Sequence, residues 1–224
     1  MESPAKALVV AGLSVSAIFL LLRLKSNRAR ISLTRLFNAE AVKHLADQLP
    51  RTSEDDFILA AWQAVGQDVV YQSYGSILVF SPDLVDCQRC LLPEQVIRKM
   101  GGNCVAKSVL LVSILRNRLP SRRVYMAVGT LNHNGSSGGH AWVLVQRHGA
   151  WYVLESTMSP PLDNPWMPVS LASESYTNEA TVNDKHLNCY DPSVCEYKIA
   201  VASKCPCSAD RAFRENWNRR GARY

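Results

Sequence analysis

A cysteine at position 104 follows a glycine pair with one residue between and opens a long apolar run, "MGGNCVAKSVLLVSILRN", residues 100–117. A structural cysteine usually sits inside an apolar face, whereas Cys104 stands where a helix begins. A helix N-terminus offers unpaired N–H groups and the positive end of a dipole. A thiol there loses its proton more readily, and the thiolate is the nucleophile. Gly101 and Gly102 keep the approach open to a substrate backbone. A thiol nucleophile needs a base, and the base needs an acceptor that orients it. "GGHAWVLV" supplies His140 at the start of a strand-like run, and "WYVLEST" supplies Glu155 near the end of the next. The expected chemistry is nucleophilic, with Cys104 as the thiol, His140 as its base, and Glu155 fixing the ring's tautomer and stabilising the imidazolium. Gln95 and Asn103 are candidates for a second oxyanion donor beside the Cys104 N–H.

The elements that must hold these groups follow from periodicity. Residues 104–117 carry apolar side chains around most of a helical circumference, which predicts a central buried helix. "LPEQVIRKMGG" (92–102) reads as a short helix with Pro93 at its first position, stopped by the glycine pair. Residues 122–129, 140–147 and 150–157 have strand patterns. His148 and Gly149 form a two-residue hairpin turn between the last two. That register sets Glu155 opposite Trp142, with His140 two residues away and on Glu155's face. Trp142 itself is read as core packing on the strand face opposite His140. The Gly, Asn and Ser-rich segment 130–139 is expected to be a mobile loop. Upstream, residues 31–50 read as a helix ended by Pro50. Residues 52–74 read as another, N-capped by Ser53 and stopped near Gly66. "SILVF" (76–80) reads as a short strand or a buried loop. Helices first and antiparallel strands after them give an α+β fold class.

The blocks "GGNCVAKSVLLVSILRN", "VYMAVG", "GHAWVLV" and "WYVLEST" together resemble the transglutaminase-like superfamily of papain-type enzymes, over roughly residues 52–160. The resemblance implies a papain-like or transglutaminase-like core, with a central helix packed on an antiparallel sheet. It also implies a thioester intermediate, with Cys104 as nucleophile, His140 as general base and acid, and Glu155 as orienting acceptor. The superfamily more often has Asp at the third place, so the extra methylene of Glu155 must be absorbed by backbone position. The implied activity is that of a thiol hydrolase of the cysteine protease or amidase type, on a protein or peptide substrate. A protein-glutamine transamidase and a non-catalytic binding module on the same fold are the alternatives. Related peptide N-glycanases hold zinc on two Cys-x-x-Cys pairs ahead of the nucleophile, but only "CQRC" (87–90) precedes it here.

The 224 residues have 47% hydrophobic content and 20% charge, enough for a packed domain. A net charge of +6 with scattered basic residues and no recognition motif gives no expectation of nucleic-acid binding. Residues 7–24, "ALVVAGLSVSAIFLLLRL", carry no charge from Ala7 to Leu22. Arg23 can snorkel and extend this short span, and Lys25, Arg28 and Arg30 follow. With only Lys6 ahead, the pattern favours an uncleaved single-pass membrane anchor over a cleaved signal peptide, with the catalytic domain cytoplasmic. The expected organisation is therefore an anchor with a basic flank (1–30), a transglutaminase-like catalytic domain (31–200) and a basic C-terminal helix or tail (201–224). No cofactor is expected. The six cysteines other than Cys104 leave zinc, disulfides and free thiols open, with disulfides at odds with a cytoplasmic domain.

Overall fold

The computed structural model describes residues 29–133, 135–157 and 165–190, and the backbone of 196–199. The expected anchor, 7–24, and the C-terminal helix or tail, 201–224, lie outside the described residues. Among those described, no helix is long and apolar enough to cross a membrane.

The chain begins with strand β1 (Ala29–Ser32), helix α1 (Leu33–Leu36), a 3₁₀ turn at Glu40–Val42 and helix α2 (Lys43–Gln48). The single helix expected over 31–50 is thus broken twice. Ser32 Oγ accepts from Arg35 N at 3.2 Å, and Asn38 Oδ1 accepts from Ala41 N at 3.1 Å. Ser32 caps the start of α1, and the Asn38 side chain turns the backbone ahead of the 3₁₀ turn. Helix α3 (Glu54–Asp68) has the expected Ser53 cap, whose Oγ accepts from Asp56 N at 3.0 Å. It runs through Gly66 rather than ending there.

Strand β2 (Val70–Tyr71), strand β3 (Ser76–Ser81) and strand β4 (Leu84–Gln88) follow, so "SILVF" is a strand. Helix α4 (Pro93–Lys99) starts on its proline, as expected. Its stop is Met100, in the left-handed region at φ 45°, and not the glycine pair. Gly101–Gly102 instead form strand β5, parallel to β2. Helix α5 (Cys104–Leu115) is buried at all 12 positions, as its all-round apolarity requires.

Strands β6 (Val124–His133), β7 (Ser136–Arg147) and β8 (Ala150–Leu154) make an antiparallel meander. The β7–β8 turn has His148 at φ 48° and Gly149 at φ 82°, the doubly positive φ of a type I′ hairpin. Val143 pairs with Leu154, the expected register. Residues 130–133 and 136–139 are strand, not loop. Thr130 pairs with Gly139 and His133 with Ser136, so the two strands run on to the turn. Small side chains there leave backbone pairing intact, and only the propensity argument was against them. Strand β9 (Met167–Pro168), helix α6 (Val169–Ala172), β10 (Tyr176–Val182), β11 (Leu187–Cys189) and β12 (Glu196–Ile199) complete the described chain. The six-stranded sheet runs β11-β10-β6-β7-β8-β9 and the four-stranded one β1-β4-β3-β12. A central helix on antiparallel sheet makes the fold α+β.

Candidate active site

Cys104 is the first residue of α5, and Asn103 holds the helix start. Asn103 Oδ1 accepts from Ala106 N at 3.1 Å, capping the helix. Its Nδ2 donates to Tyr74 O at 3.0 Å and to Ser76 Oγ at 2.9 Å. The Cys104 N–H, at the first helical position, has no intrahelical acceptor and lies beside its own sulfur. Gly102 cannot be larger: a Cβ there would meet the Ala106 Cβ at 2.5 Å.

His140 lies within β7, opposite Gly129 of β6, and Glu155 is the residue just past β8. His140 Nε2 lies 2.9 Å from Glu155 Oε2. The His140 ring is also hydrogen-bonded to the Cys104 side chain. With Nε2 on Glu155, Nδ1 is the nitrogen left for sulfur. Cys104, His140 and Glu155 are thus brought together in one line and are 3%, 2% and 0% exposed. The extra methylene of Glu155 is absorbed because the residue has left the strand, and Trp62 Nε1 pins its carbonyl at 2.8 Å.

The carboxylate is saturated with donors. Beyond His140, Oε2 accepts from Tyr176 Oη at 2.9 Å. Oε1 accepts from Thr157 N at 2.9 Å and Thr157 Oγ1 at 2.6 Å. Burial by itself would raise the Glu155 pKa, but the His140 charge and the His140 and Thr157 donors lower it below the usual value. Burial likewise works against a charged His140. The Glu155 carboxylate and the ring's own hydrogen bonds to Cys104 and Glu155 overcome it and raise the ring to about 10. Burial, then the neighbouring carboxylate, keeps Tyr176 a neutral donor. The resting arrangement is an imidazolium held between a carboxylate and a sulfur, ready to give a proton to a leaving amine.

Several sequence expectations are corrected here. Gln95 Oε1 accepts from Leu92 N at 2.9 Å at the start of α4, and the Asn103 amide is spent on the cap and on Tyr74 and Ser76. The Asn103 amide is therefore not free to serve an oxyanion, and the Gln95 side chain is anchored through its oxygen at the start of α4. Trp142 is fully buried as expected, but it stacks on His140 with ring centroids 5.9 Å apart. Residues two apart in a strand share a face, so it is on His140's side. Cys87 and Cys90 form a disulfide, Cys189 is also disulfide-bonded, and among the described residues no group of His, Cys, Asp and Glu is arranged to hold a metal.

The sequence reading missed Tyr176, Thr157 and Lys107. Thr157 was findable, two residues beyond an expected carboxylate. Tyr176 lies 21 residues on, across an unread Pro-rich stretch. Lys107 is fully buried one turn below Cys104, with Nζ donating to Val69 O at 2.7 Å and Gly66 O at 3.3 Å.

No protein-family model matches the chain, and no curated protein does. A solved structure, Legionella pneumophila LapG in its EGTA-treated form, aligns at a TM-score of 0.41 and 13% identity. The alignment covers 86% of this chain and 97% of that one. The functional reading therefore rests on the geometry of the site.

Proposed function

We propose that the chain is a thiol hydrolase of the cysteine peptidase or amidase type that cleaves an amide in a protein or peptide through a thioester. The observation that carries this reading is the single hydrogen-bonded line of Cys104, His140 and Glu155, from a helix N-terminus to a four-donor carboxylate. Cys104 Sγ attacks the carbonyl carbon, the C–S bond forms, and the π pair moves to oxygen beside the Cys104 N–H. The intermediate collapses, and His140 gives its proton to the departing amine. The now neutral ring takes a proton from water, and the resulting hydroxide displaces the thiolate from the thioester. The products are a carboxylic acid and the starting imidazolium. Throughout, Glu155 holds the ring's orientation and its positive charge.

Membrane attachment through residues 7–24 belongs to the same proposal. The disulfides at Cys87–Cys90 and at Cys189 favour an oxidising compartment, against the cytoplasmic placement expected from the basic flank. Protease accessibility of the domain in intact cells decides the side.

The test of the chemistry is labelling with iodoacetamide near neutral pH, followed by peptide mapping, and turnover of a peptide library. Cys104 is expected to label faster than a model thiol, and Cys104→Ser to abolish cleavage. Labelling no faster than the model thiol, with cleavage intact in Cys104→Ser, would overturn the proposal. Incorporation of a labelled primary amine in place of hydrolysis would move the reading to a transamidase.

A further inference from the structure

The oxyanion formed at Cys104 has one donor assigned, the Cys104 N–H, and the Asn103 amide expected to supply a second is committed to Tyr74 O and Ser76 Oγ. Tyr74 offers what it does not. Its hydroxyl is buried and has no hydrogen-bond partner among the described residues. Such groups are rare, because a buried hydroxyl left unpaired is destabilising. One that persists beside a reactive side chain points to a partner that arrives later.

The backbone holds Tyr74 against the start of α5. Gln72 N donates to Gly102 O at 3.0 Å, extending the β2–β5 pairing toward Cys104. Tyr74 N donates to Gln72 O at 3.1 Å, turning the chain. Asn103 Nδ2 then fixes the Tyr74 carbonyl at 3.0 Å. Residues 72–74 are therefore fastened at three points to residues 102–103 and to one another. The Asn103 backbone is near enough to favour the ionised phenol slightly, yet the hydroxyl has no hydrogen-bond partner among the described residues. The phenol is close enough to Cys104 for charge on sulfur to act on it; burial first, and that charge after it, raise its pKa. The hydroxyl thus stays protonated and able to donate.

Building on the thiol hydrolase reading, we infer that the Tyr74 hydroxyl is the second oxyanion donor, a catalytic residue that pairs with the Cys104 N–H when the tetrahedral intermediate forms. The phenol O–H donates to the oxygen that gains charge as the C–S bond forms. It keeps its proton throughout, and releases the oxygen when the carbonyl re-forms and the leaving group departs. Its lack of a partner in the resting protein is the vacancy that oxygen fills.

Two reactions of the same sulfur separate this role from a structural one. With 4-nitrophenyl acetate, Cys104 forms an acetyl thioester through an oxyanion and expels 4-nitrophenolate. With iodoacetamide, the sulfur displaces iodide at a saturated carbon, and no oxyanion forms. Both rates are measured on the full chain and on Tyr74→Phe, together with the thermal midpoint. The variant is expected to lose about 10²–10³-fold in acylation rate. Its alkylation rate should stay within twofold of the parent. Its midpoint should be unchanged or higher, because an unpaired buried hydroxyl is removed. Unchanged acylation in Tyr74→Phe overturns the assignment to Tyr74 alone. Equal losses in both reactions, or a lowered midpoint with parallel losses, make Tyr74 structural and also overturn it. If the parent chain shows neither a burst of 4-nitrophenolate nor accelerated alkylation, the nucleophile reading fails, and the Tyr74 role fails with it.

Discussion

Glu155 governs the charge of His140, and that makes the pH dependence of the proposed reaction readable. The ring is raised to about 10, so amide cleavage, which needs the imidazolium as proton donor, should decline as pH passes through about 10. A 4-nitrophenyl ester has a leaving group that departs without a proton, so its acylation should lack this upper limb. Glu155→Gln removes the carboxylate charge that, more than any other favourable contact, holds the ring up. The His140 pKa should then fall toward its ordinary value near 6.5, and the upper limb should move down with it. An amide nitrogen facing Nε2 would also favour the wrong tautomer, so turnover should drop about 10²–10⁴-fold. Profiles of kcat/KM for an acyl 4-nitroanilide against the ester, parent beside variant, test all of this; an upper limb that stays put in the variant would contradict it. The sequence made Cys104, His140 and Glu155 legible because each sits at a structural boundary: a helix start, the entry to an apolar strand run, a strand end. Tyr74 and Tyr176 were not legible. Neither belongs to a motif, and only the tertiary fold brings Tyr74 beside residue 103 and Tyr176 beside residue 155.

Among the elements, the β7–β8 hairpin could be read to the residue, since a two-residue turn with Gly149 second fixes register and parity together. The 31–50 region could not. Its apolar spacing fits a helix, and only the side-chain-to-backbone bonds of Ser32 and Asn38 reveal the breaks. Residues 130–133 and 136–139 misled for the opposite reason: a loop-like composition is held as strand by its neighbours, β10 on one side and the pairing of β6 with β7 itself. The start of α5 gives a prediction at this scale. Asn103 both caps the helix and ties down Tyr74 and Ser76, and Ser76 Oγ in turn donates to Arg89 O at 3.2 Å, inside the Cys87–Cys90 loop. Asn103→Ala loses the cap and both Nδ2 bonds and should cost at least the ~0.5–2 kcal/mol of an N-cap in urea unfolding. Asn103→Asp keeps the cap acceptor but loses the Nδ2 donors. It should therefore retain most of that cap energy while slowing acylation by 4-nitrophenyl acetate. If the Asp variant acylates at the parental rate, the tether from Asn103 to Tyr74 has no part in placing the oxyanion site.

Across the whole molecule, the buried charges beneath the site act on stability in opposite directions. Lys107 is held by main-chain carbonyls at the end of α3. Burial lowers its pKa from 10.5 to about 8, with the Glu155 charge only partly offsetting this. Between those values the unfolded chain binds more protons than the folded one, so this group makes stability rise with pH. His140 does the reverse. Its pKa rises on folding from 6.5 to about 10, so its contribution is fully present below 6.5 and is lost as pH climbs toward 10. From pH 8 to 10 the two slopes oppose each other, and the parent protein should show a nearly flat stability curve there. Lys107→Met removes only the rising limb. Its absolute stability is a poor guide, because the substitution relieves a buried ammonium yet strands two carbonyls. The slope is the cleaner quantity: relative to the parent, Lys107→Met should lose about 3 kcal/mol over the full interval between the two lysine values. Urea unfolding of both chains at pH 7 and at pH 10 tests the sign. A difference between them that does not change with pH would mean that Lys107 is buried at no cost to its charge, and that the carbonyls at the end of α3 compensate it fully.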